Sequence, residues 1–255
     1  KISMLKKIFT SGNPDSKSDF YVEYSPAKSG GIKINIQSKS TVLHGTKLNQ
    51  SANRTLYDLD IKHCKLTVID NGVQYFVLQA RIEASVKDAH PKLEKESLGE
   101  FKKHSQYKTT WNRFRRSRLY IPGNQAKLML NAGIHTPDAI ILDLEDSVTI
   151  KEKISARLIV RNALRHLNFF GAERMVRINQ GKLGFKDLET IVPHNVHLIL
   201  VPKVEEAAYL QEVDHNIKTI CNKNHCQYPI YLMPILESAK GILNSLEIAK
   251  ASKNN

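Results

Sequence analysis

Residues 138–148 read DAIILDLEDSV, an apolar run that ends in three carboxylates within four residues. Similar apolar runs recur downstream as HLILVP at 197–202 and IYLMPIL at 230–236. Runs that are apolar at nearly every position are typical of parallel strands that are covered on both faces of a sheet. Helical patterns separate these runs, so the stretch after residue 113 predicts repeated strand–helix units and an α/β fold.

The predicted elements extend outward from this stretch in strict alternation. Strands are predicted at 119–122, 139–144, 175–178, 196–201 and 230–235, and helices from residue 125 and at 151–167, 185–191, 205–221 and 238–251. A (β/α)8 barrel has eight strands and about 250 residues, whereas residues 113–255 supply five units. We therefore expect either an open sheet or part of a TIM-type barrel with about five of its eight units.

The N-terminal part has a different pattern, which predicts a small α+β domain over residues 1–86. Strands are expected at 20–24 and 32–36, joined as a hairpin by SPAKSGG, and a helix is expected from about 41 to 60. A second hairpin is expected from strands at 65–69 and 73–82, because Asp70-Asn71-Gly72 between them is a strong turn signal. Residues 87–112 are polar and predict a partly helical linker to the third segment, 113–255.

The amino-acid composition of the chain disfavours several classes of function. The chain has 255 residues and a net charge of +13, with 18 basic and 11 acidic residues before position 113 and 20 and 14 after it. Such an even spread argues against nucleic-acid binding, although Arg113, Arg115, Arg116 and Arg118 form a local cluster that could contact phosphates. No apolar run is long enough for a membrane span, and the three cysteines favour reduced thiols, so we expect a cytoplasmic protein.

Charged residues follow four of the predicted strands at the edge where α/β folds place their chemistry. Asp143, Glu145 and Asp146 follow the second strand and Glu237 follows the fifth, while Arg177 and Lys203 follow the third and fourth. Oxygen ligands suit Mg²⁺, and a neighbouring arginine suits the carboxylate of an α-keto or α-hydroxy acid. Each of these residues taken alone is also compatible with a capping or solvent-exposed charge.

Five motifs in the C-terminal part resemble the beta chain of citrate lyase. They are RRSRLYIPGN (115–124), DAIILDLEDSV (138–148), VRIN (176–179), LVPKVE (200–205) and ILESAKGILN (235–244). The resemblance implies a Mg²⁺-dependent (β/α)8 lyase of the family that includes malyl-CoA lyase. Three motifs in the N-terminal part resemble the citrate lyase gamma chain, an acyl carrier protein, over residues 8–86: SGNPDSKSD (11–19), SPAKSGGIKINIQS (25–38) and QARIEASV (79–86). Two subunit types of one complex are therefore expected in one chain.

The resemblance also implies roles for individual residues. Ser16 would carry a covalent phosphoribosyl-dephospho-CoA arm, with Ser18 as the alternative attachment site. In the lyase part, Glu237 would bind the metal and Arg177 would hold the oxaloacetate carboxylate. Lys203 is a second candidate catalytic cation because of its place after the fourth predicted strand, independently of the resemblance. The carboxylates that border the metal, mostly through water, would be Asp143, Glu145 and Asp146, and the residues near the arm would be Arg116, Pro122, Gly123 and Asn124.

The implied reaction is retro-Claisen cleavage of a citryl thioester to oxaloacetate and an acetyl thioester, within the conversion of citrate to acetate and oxaloacetate. The implied partners are a citrate lyase alpha chain and further copies of this chain in a larger complex. The family's second metal ligand, an aspartate after strand six, has no counterpart before Asn255. One alternative is therefore a truncated, inactive remnant in which at most the carrier works. Another is a lyase that acts on free CoA esters, which the carrier segment disfavours.

Overall fold

The computed structural model describes residues 7–38 and 41–253, and for residues 41–44 the backbone only. The chain divides into two compact units, Lys1–Gly99 and Glu100–Asn255. The described residues of the first unit form four strands and two helices, in the order β1 (Phe9–Ser11), β2 (Phe20–Pro26), β3 (Ile32–Ser38), α1 (Thr41–Asp58), β4 (Cys64–Asp70) and α2 (Tyr75–Ala89). These strands and helices make the first unit an α+β unit, and α1 lies where the sequence predicts a helix.

The sheet of the first unit has the strand order β1-β2-β4-β3. β2 runs antiparallel to β1 and β4, whereas β3 runs parallel to β4. The predicted hairpin between residues 20–24 and 32–36 is therefore wrong, because β4 lies between these two strands. The reason is the connection through α1: a crossover helix lets β3 and β4 pair in parallel, so β3 does not pair with its neighbour in sequence.

The second predicted hairpin is also wrong. Residues 64–70 do form β4, but the predicted strand at 73–82 lies within α2. Ten of the residues between Phe76 and Val86 are buried, which means that nearly every face of this helix is covered. A helix buried all round shows no 3.6-residue hydrophobic period, so its apolar residues can be mistaken for those of a strand.

The second unit is a parallel sheet with helices between its strands, as the sequence predicts. Its elements are β5 (Arg118–Pro122), α3 (Ala126–Asn131), β6 (Ala139–Asp143), α4 (Lys153–His166), β7 (Glu173–Arg177), α5 (Gly181–Ile191), β8 (Leu198–Val201), α6 (Ala207–Asn224), β9 (Tyr231–Pro234), α7 (Ala239–Leu243) and α8 (Ser245–Lys250). The strand order β5-β6-β7-β8-β9 follows the chain, and every pair is parallel. This order has no reversal point, which distinguishes it from doubly wound sheets and matches the winding of a TIM-type barrel.

One face of the sheet carries Ala139, Ile141 and Met175, which are buried together with Leu198 and Leu200. On this face the first and last strands approach each other through their side chains, since Nη1 of Arg118 lies 3.5 Å from Sδ of Met233. All five strands end at one edge of the sheet, so the residues that come after Pro122, Asp143, Arg177, Val201 and Pro234 share that edge.

The last predicted helix, 238–251, is two helices in the structure. α7 ends at Leu243 and α8 begins at Ser245, with Asn244 between them. The Asn244 side chain donates from Nδ2 to the backbone oxygen of Glu205 at 2.8 Å, a bond outside both helices that accompanies the interruption. The cysteines Cys64, Cys221 and Cys226 are free thiols. Within residues 7–38 and 41–253, no helix is both long and apolar enough to cross a lipid bilayer.

Candidate active site

The centre of the candidate site is a pair of oppositely charged residues at the ends of two adjacent strands. Asp143 ends β6 and Arg177 ends β7, and the register of the parallel pair places them side by side. Nε of Arg177 donates to Oδ1 of Asp143 at 2.6 Å, and Nη2 donates to Oδ2 at 2.7 Å. The side chains are 14% and 2% exposed, so this bidentate ion pair is largely shielded from water.

Backbone donors complete the surroundings of the Asp143 carboxylate. The N–H groups of Glu145 and Ser147 donate to Oδ1 and Oδ2 at 3.0 and 3.1 Å. Burial, the largest single influence, raises the pKa of Asp143, but the hydrogen bonds from Arg177, Ser147 and Glu145 outweigh it and the pKa is lowered. The pKa of Arg177 is raised, chiefly because Asp143 accepts its hydrogen bonds. Both groups are therefore charged at neutral pH.

A second cation, Lys203, joins the other two carboxylates. Its Nζ donates to Oε1 of Glu145 at 2.7 Å and to Oδ1 of Asp146 at 3.2 Å, and these hydrogen bonds raise the pKa of Lys203. The Lys203 backbone has φ of +51°, a left-handed conformation that is uncommon for a residue with a side chain. Nη1 of Arg177 lies 3.1 Å from Oε2 of Glu145 and 3.8 Å from Oδ2 of Asp146. The structure therefore brings Asp143, Glu145, Asp146, Arg177 and Lys203 into one cluster, which we call the rim cluster.

Sequence reasoning missed two side chains that support the rim cluster. Gln180 donates from Nε2 to Oε1 of Glu145 at 3.1 Å. Lys153, the first residue of α4, is buried and donates from Nζ to the backbone oxygens of Leu144 and Glu145 at 2.7 and 2.5 Å. Burial lowers the pKa of Lys153. Gln180 directly follows the VRIN motif and was recognisable from its position, whereas the inward direction of Lys153 has no sequence signal.

The oxygen donors at this edge of the sheet differ in how well they suit a magnesium ion. Each Asp143 oxygen already accepts two hydrogen bonds, which leaves this residue suited to contact through water only. In the part of the chain that the structure describes, Oε2 of Glu145 is buried and accepts no hydrogen bond, although Arg177 lies close to it. Glu237 is exposed and follows β9 at the same sheet edge. One or two protein carboxylates completed by water and substrate are a usual way to bind Mg²⁺, so these residues fit the ion.

The described residues contain no preformed cage for a metal. No group of three or more His, Cys, Asp or Glu side chains among them is arranged to hold an ion. The structure brings Asp143, Glu145 and Asp146 together, but Glu237, three residues after the end of β9, makes no hydrogen bond or ion pair with them in the described part of the chain. Its role as a metal ligand stays a prediction.

The predicted arm-binding residues fall into two groups. Pro122, Gly123 and Asn124 lie at the carboxyl end of β5, where the Gly123 N–H donates to the Asp143 backbone oxygen at 2.7 Å. A Cβ at position 123 would lie 2.7 Å from the same oxygen, so this contact requires glycine. Oδ1 of Asn124 is buried and accepts no hydrogen bond from any described residue. Arg116 precedes β5 at the other edge of the sheet and pairs with Asp138 at 3.5 Å, so the structure does not bring it to the other three.

The arginine cluster that the sequence offered as a phosphate contact is largely used inside the unit. Arg113 donates to the backbone oxygens of Asp138 and Gly171. Arg115 forms a bidentate pair with the buried Glu173, at 2.6 and 2.9 Å. Arg115 and Glu173 lie at the amino end of β7 and Arg177 at its carboxyl end, so the same strand carries a buried ion pair at each end.

The predicted attachment serine lies in a loop of the first unit between β1 and β2. Gly12 begins this loop with φ of +93°, and a Cβ there would lie 2.1 Å from the Phe20 backbone oxygen. At the other end, the buried Asp19 accepts hydrogen bonds from Arg81 at 3.1 and 2.7 Å. Ser16 is half-buried, and its N–H donates to the Asn13 backbone oxygen at 3.1 Å. Ser18 has φ of +61° and directly precedes the buried Asp19.

Comparison with known proteins identifies the families that the two parts of the chain resemble. A family profile described as HpcH/HpaI aldolase/citrate lyase matches residues 116–254, and a second, described as malonate decarboxylase delta subunit, an acyl carrier type, matches residues 8–89. Citrate lyase subunit beta of Haemophilus influenzae is 38% identical over 146 residues, which are 55% of this chain and 50% of that protein.

Two further matches are a relative that is named for a different activity and a solved structure of lower sequence identity. A (3S)-malyl-CoA thioesterase of Cereibacter sphaeroides is 37% identical over 136 residues, covering 52% of this chain and 44% of that protein. A citrate lyase beta subunit structure from M. tuberculosis, in complex with oxaloacetate and magnesium, has a TM-score of 0.43 and 26% identity over 54% of this chain and 56% of that chain. The chain spans about half the length of the curated relatives it matches. With a carrier-type segment before its parallel α/β unit, the chain belongs to the HpcH/HpaI aldolase/citrate lyase family.

Proposed function

We propose that this chain is a citrate lyase component that combines an acyl carrier with a carbon–carbon lyase. The observation that carries the proposal is the rim cluster, in which a buried carboxylate aligns Arg177 at the carboxyl edge of a parallel sheet. An aligned guanidinium beside further carboxylates and a lysine suits a substrate that has both a carboxylate and an oxygen on which negative charge develops. Citryl thioesters have both groups.

Arg177 would bind the carboxylate of the oxaloacetate portion. Asp143 occupies the edge of the guanidinium formed by Nε and Nη2, so the substrate would approach the remaining edge, through Nη1 and the second proton of Nη2. Oε2 of the buried Glu145 lies 3.1 Å from Nη1, and Oδ2 of Asp146, whose side chain is 62% exposed, makes a weaker contact with Nη1 at 3.8 Å. A substrate carboxylate can therefore replace this weak contact without breaking the buried pair.

Lys203 and Gln180 would act on the other side of Glu145. Both donate to its Oε1, and the Lys203 ammonium group also donates to Oδ1 and Oδ2 of the exposed Asp146 at 3.2 and 3.5 Å, long contacts that a substrate oxygen could replace. In the cleavage, the carbon–carbon bond breaks and its electron pair leaves with the acetyl thioester as an enolate, which then takes up a proton. The tertiary hydroxyl first gives its proton to a base, so its oxygen carries negative charge until it becomes the ketone oxygen of oxaloacetate. A fixed ammonium group beside that oxygen would stabilise this charge.

Mg²⁺ would be held by Glu237 and Oε2 of Glu145, with Asp143 and Asp146 contacting it through water. When bound, the ion supplies Lewis-acid stabilisation of charge on the substrate oxygens. The number of protein carboxylates is small, which is consistent with a site that Mg²⁺ shares with substrate and water rather than one closed by protein ligands.

Ser16 would carry the phosphoribosyl-dephospho-CoA arm, and a citrate lyase alpha chain would transfer the acyl group to it. Ser16 is favoured over Ser18 because Ser18 is followed at once by Asp19, which the buried pair with Arg81 fixes. In the described residues, the Ser16 hydroxyl makes no hydrogen bond that would have to break before modification. Assembly with further copies of this chain belongs to the same proposal.

Turnover of citryl-CoA tests the lyase assignment. We expect Mg²⁺-dependent release of oxaloacetate, measured through the NADH-linked malate dehydrogenase reaction, and its loss in Arg177→Met. Because one group of relatives hydrolyses malyl-CoA, (3S)-malyl-CoA is assayed in parallel by release of free CoA thiol. Thiol release from malyl-CoA without oxaloacetate from citryl-CoA would contradict the lyase assignment and favour a thioesterase.

A further inference from the structure

The Asn71-Gly72 turn, which the sequence suggested as the tip of a hairpin, instead connects β4 to α2 and lies against the Ser16 loop. We propose that Asn71 is a positioning residue for covalent modification of Ser16, because it holds the loop on both sides of that serine. This inference rests on the proposed attachment at Ser16. It assigns to Asn71 a role in the loading of the carrier, distinct from the chemistry of the rim cluster.

Three hydrogen bonds connect Asn71 with the loop. Its side chain donates from Nδ2 to the backbone oxygen of Pro14 at 3.0 Å, before the serine. Its backbone oxygen accepts from the Ser18 N–H at 3.1 Å, and its N–H donates to the Asp19 backbone oxygen at 3.1 Å, both after the serine. Asn71 is 57 positions from Pro14 in sequence, so these bonds join two distant segments.

The side-chain bond to Pro14 is the critical one. Within residues 13–17, the other hydrogen bonds that the structure describes are local: the Ser16 N–H donates to the Asn13 backbone oxygen, and the Asp15 N–H donates to Oδ1 of Asn13. In the described part of the chain, only the Asn71 amide joins this stretch by a hydrogen bond to the rest of the unit. Removing it would free the segment that leads into Ser16 while leaving the buried Asp19–Arg81 pair intact.

Loop order matters because the modification is a displacement at phosphorus. The Ser16 Oγ–P bond forms while a phosphoanhydride P–O bond of a nucleotide-type donor breaks. The leaving phosphate oxygen keeps the electron pair, and the hydroxyl proton passes to a base in solution or on the loading enzyme. A loop held in one conformation gives up less conformational entropy when it enters that enzyme's active site, so the loading reaction is faster at a limiting enzyme concentration.

The experiment compares Asn71→Ala and Asn71→Asp with Asn53→Ala. Both changes at position 71 remove the amide donor, and the aspartate preserves the side-chain shape in case the alanine variant is poorly folded. Asn53 is a matched control because its Nδ2 also donates to a backbone oxygen, that of Asn49 at 3.0 Å, on the exposed side of α1. Full-length chains are incubated with an extract of the source cells, and loading is followed by intact mass and by mapping of the Ser16 peptide.

One hydrogen bond of about average strength predicts a fall in loading rate of about fivefold for both Asn71 variants and no change for Asn53→Ala. Trypsin cleavage after the exposed Lys17 should accelerate by a similar factor in the Asn71 variants, with unchanged thermal unfolding. Equal loading of wild type and Asn71 variants at Ser16 would overturn this inference and leave the proposed function standing. Absence of an arm on Ser16 in the wild-type chain would overturn the proposed attachment and the inference with it.

Discussion

Replacing Arg177 with methionine should weaken substrate binding and lower stability, whereas replacing Arg115 with methionine should lower stability alone. Both arginines form bidentate pairs with buried carboxylates, Arg177 with Asp143 and Arg115 with Glu173. The two pairs lie at opposite ends of β7, and only the pair at the carboxyl end belongs to the rim cluster. The comparison therefore separates the structural role of a buried pair from a role in binding.

The expected loss of stability depends on the hydrogen bonds that each carboxylate keeps. Removal of one partner from a buried ion pair ordinarily costs about 3–5 kcal/mol, because the other charge stays buried. Asp143 retains two backbone N–H donors and Glu173 retains the Thr109 hydroxyl, so we expect the lower end, about 3 kcal/mol, for each variant. For a unit of this size, that loss corresponds to a fall of roughly 6–12 °C in the unfolding midpoint.

Two measurements on each variant give the test. Thermal unfolding followed by circular dichroism reports stability, and calorimetric titration of oxaloacetate with Mg²⁺ reports binding. Arg177→Met should bind at least about tenfold more weakly, since hydrogen bonds between charged groups contribute about 1.5–3 kcal/mol, while Arg115→Met should bind as the wild type does. Unchanged binding in Arg177→Met, or equal weakening in both variants, would refute the assignment of Arg177 as the carboxylate-binding residue.

Three further outcomes are expected. Ser16→Ala should leave cleavage of free citryl-CoA intact but abolish turnover that depends on the carrier, and loss of both activities would contradict separate roles for the two units. Glu237→Gln should leave the unfolding midpoint unchanged, since Glu237 is exposed. The same change should weaken Mg²⁺ binding in calorimetry and abolish Mg²⁺-dependent cleavage, and an undiminished Mg²⁺ affinity would exclude Glu237 as a metal ligand. Burial lowers the pKa of His194 and His197 to about 3, so between pH 3 and the unfolded-state pKa of about 6.5 the unfolded chain binds more protons than the folded chain. The free energy of unfolding, measured with denaturant, should therefore fall by about 1.4 kcal/mol for each histidine and each pH unit as the pH is lowered through this range. A flat profile from pH 6 to 4 would contradict the burial of these histidines as neutral rings.

The second unit was predictable from sequence because two independent signals agree there. Its strands are apolar on both faces and its helices lie between them, so alternation and burial indicate the same parallel sheet. The charged residues that follow the strands were therefore expected at one edge of the sheet, because parallel strands end at the same edge. The details of the rim cluster were not predictable: the pairing of Arg177 with Asp143 depends on strand register, and the inward direction of Lys153 depends on how α4 packs.

The first unit shows where local signals fail. Asn71-Gly72 is a turn in the structure, as its composition indicates, but a turn signal does not specify whether a strand or a helix comes next. The apolar residues 76–78 are compatible with a strand or a fully buried helix, and in the structure they are buried in α2. Likewise, the two predicted strands around SPAKSGG exist, but their pairing is set by the crossover through α1, which depends on contacts distant in sequence.

The most direct test of the proposed function is a single turnover of the loaded chain. The wild-type protein, with its arm carrying a citryl group, is mixed with Mg²⁺, and the oxaloacetate formed is counted against the number of loaded chains. The proposal predicts one oxaloacetate per citryl group, with none from Ser16→Ala subjected to the same loading and a sharply reduced rate from Arg177→Met. No oxaloacetate from the loaded wild type, or an equal yield from Ser16→Ala, would contradict it.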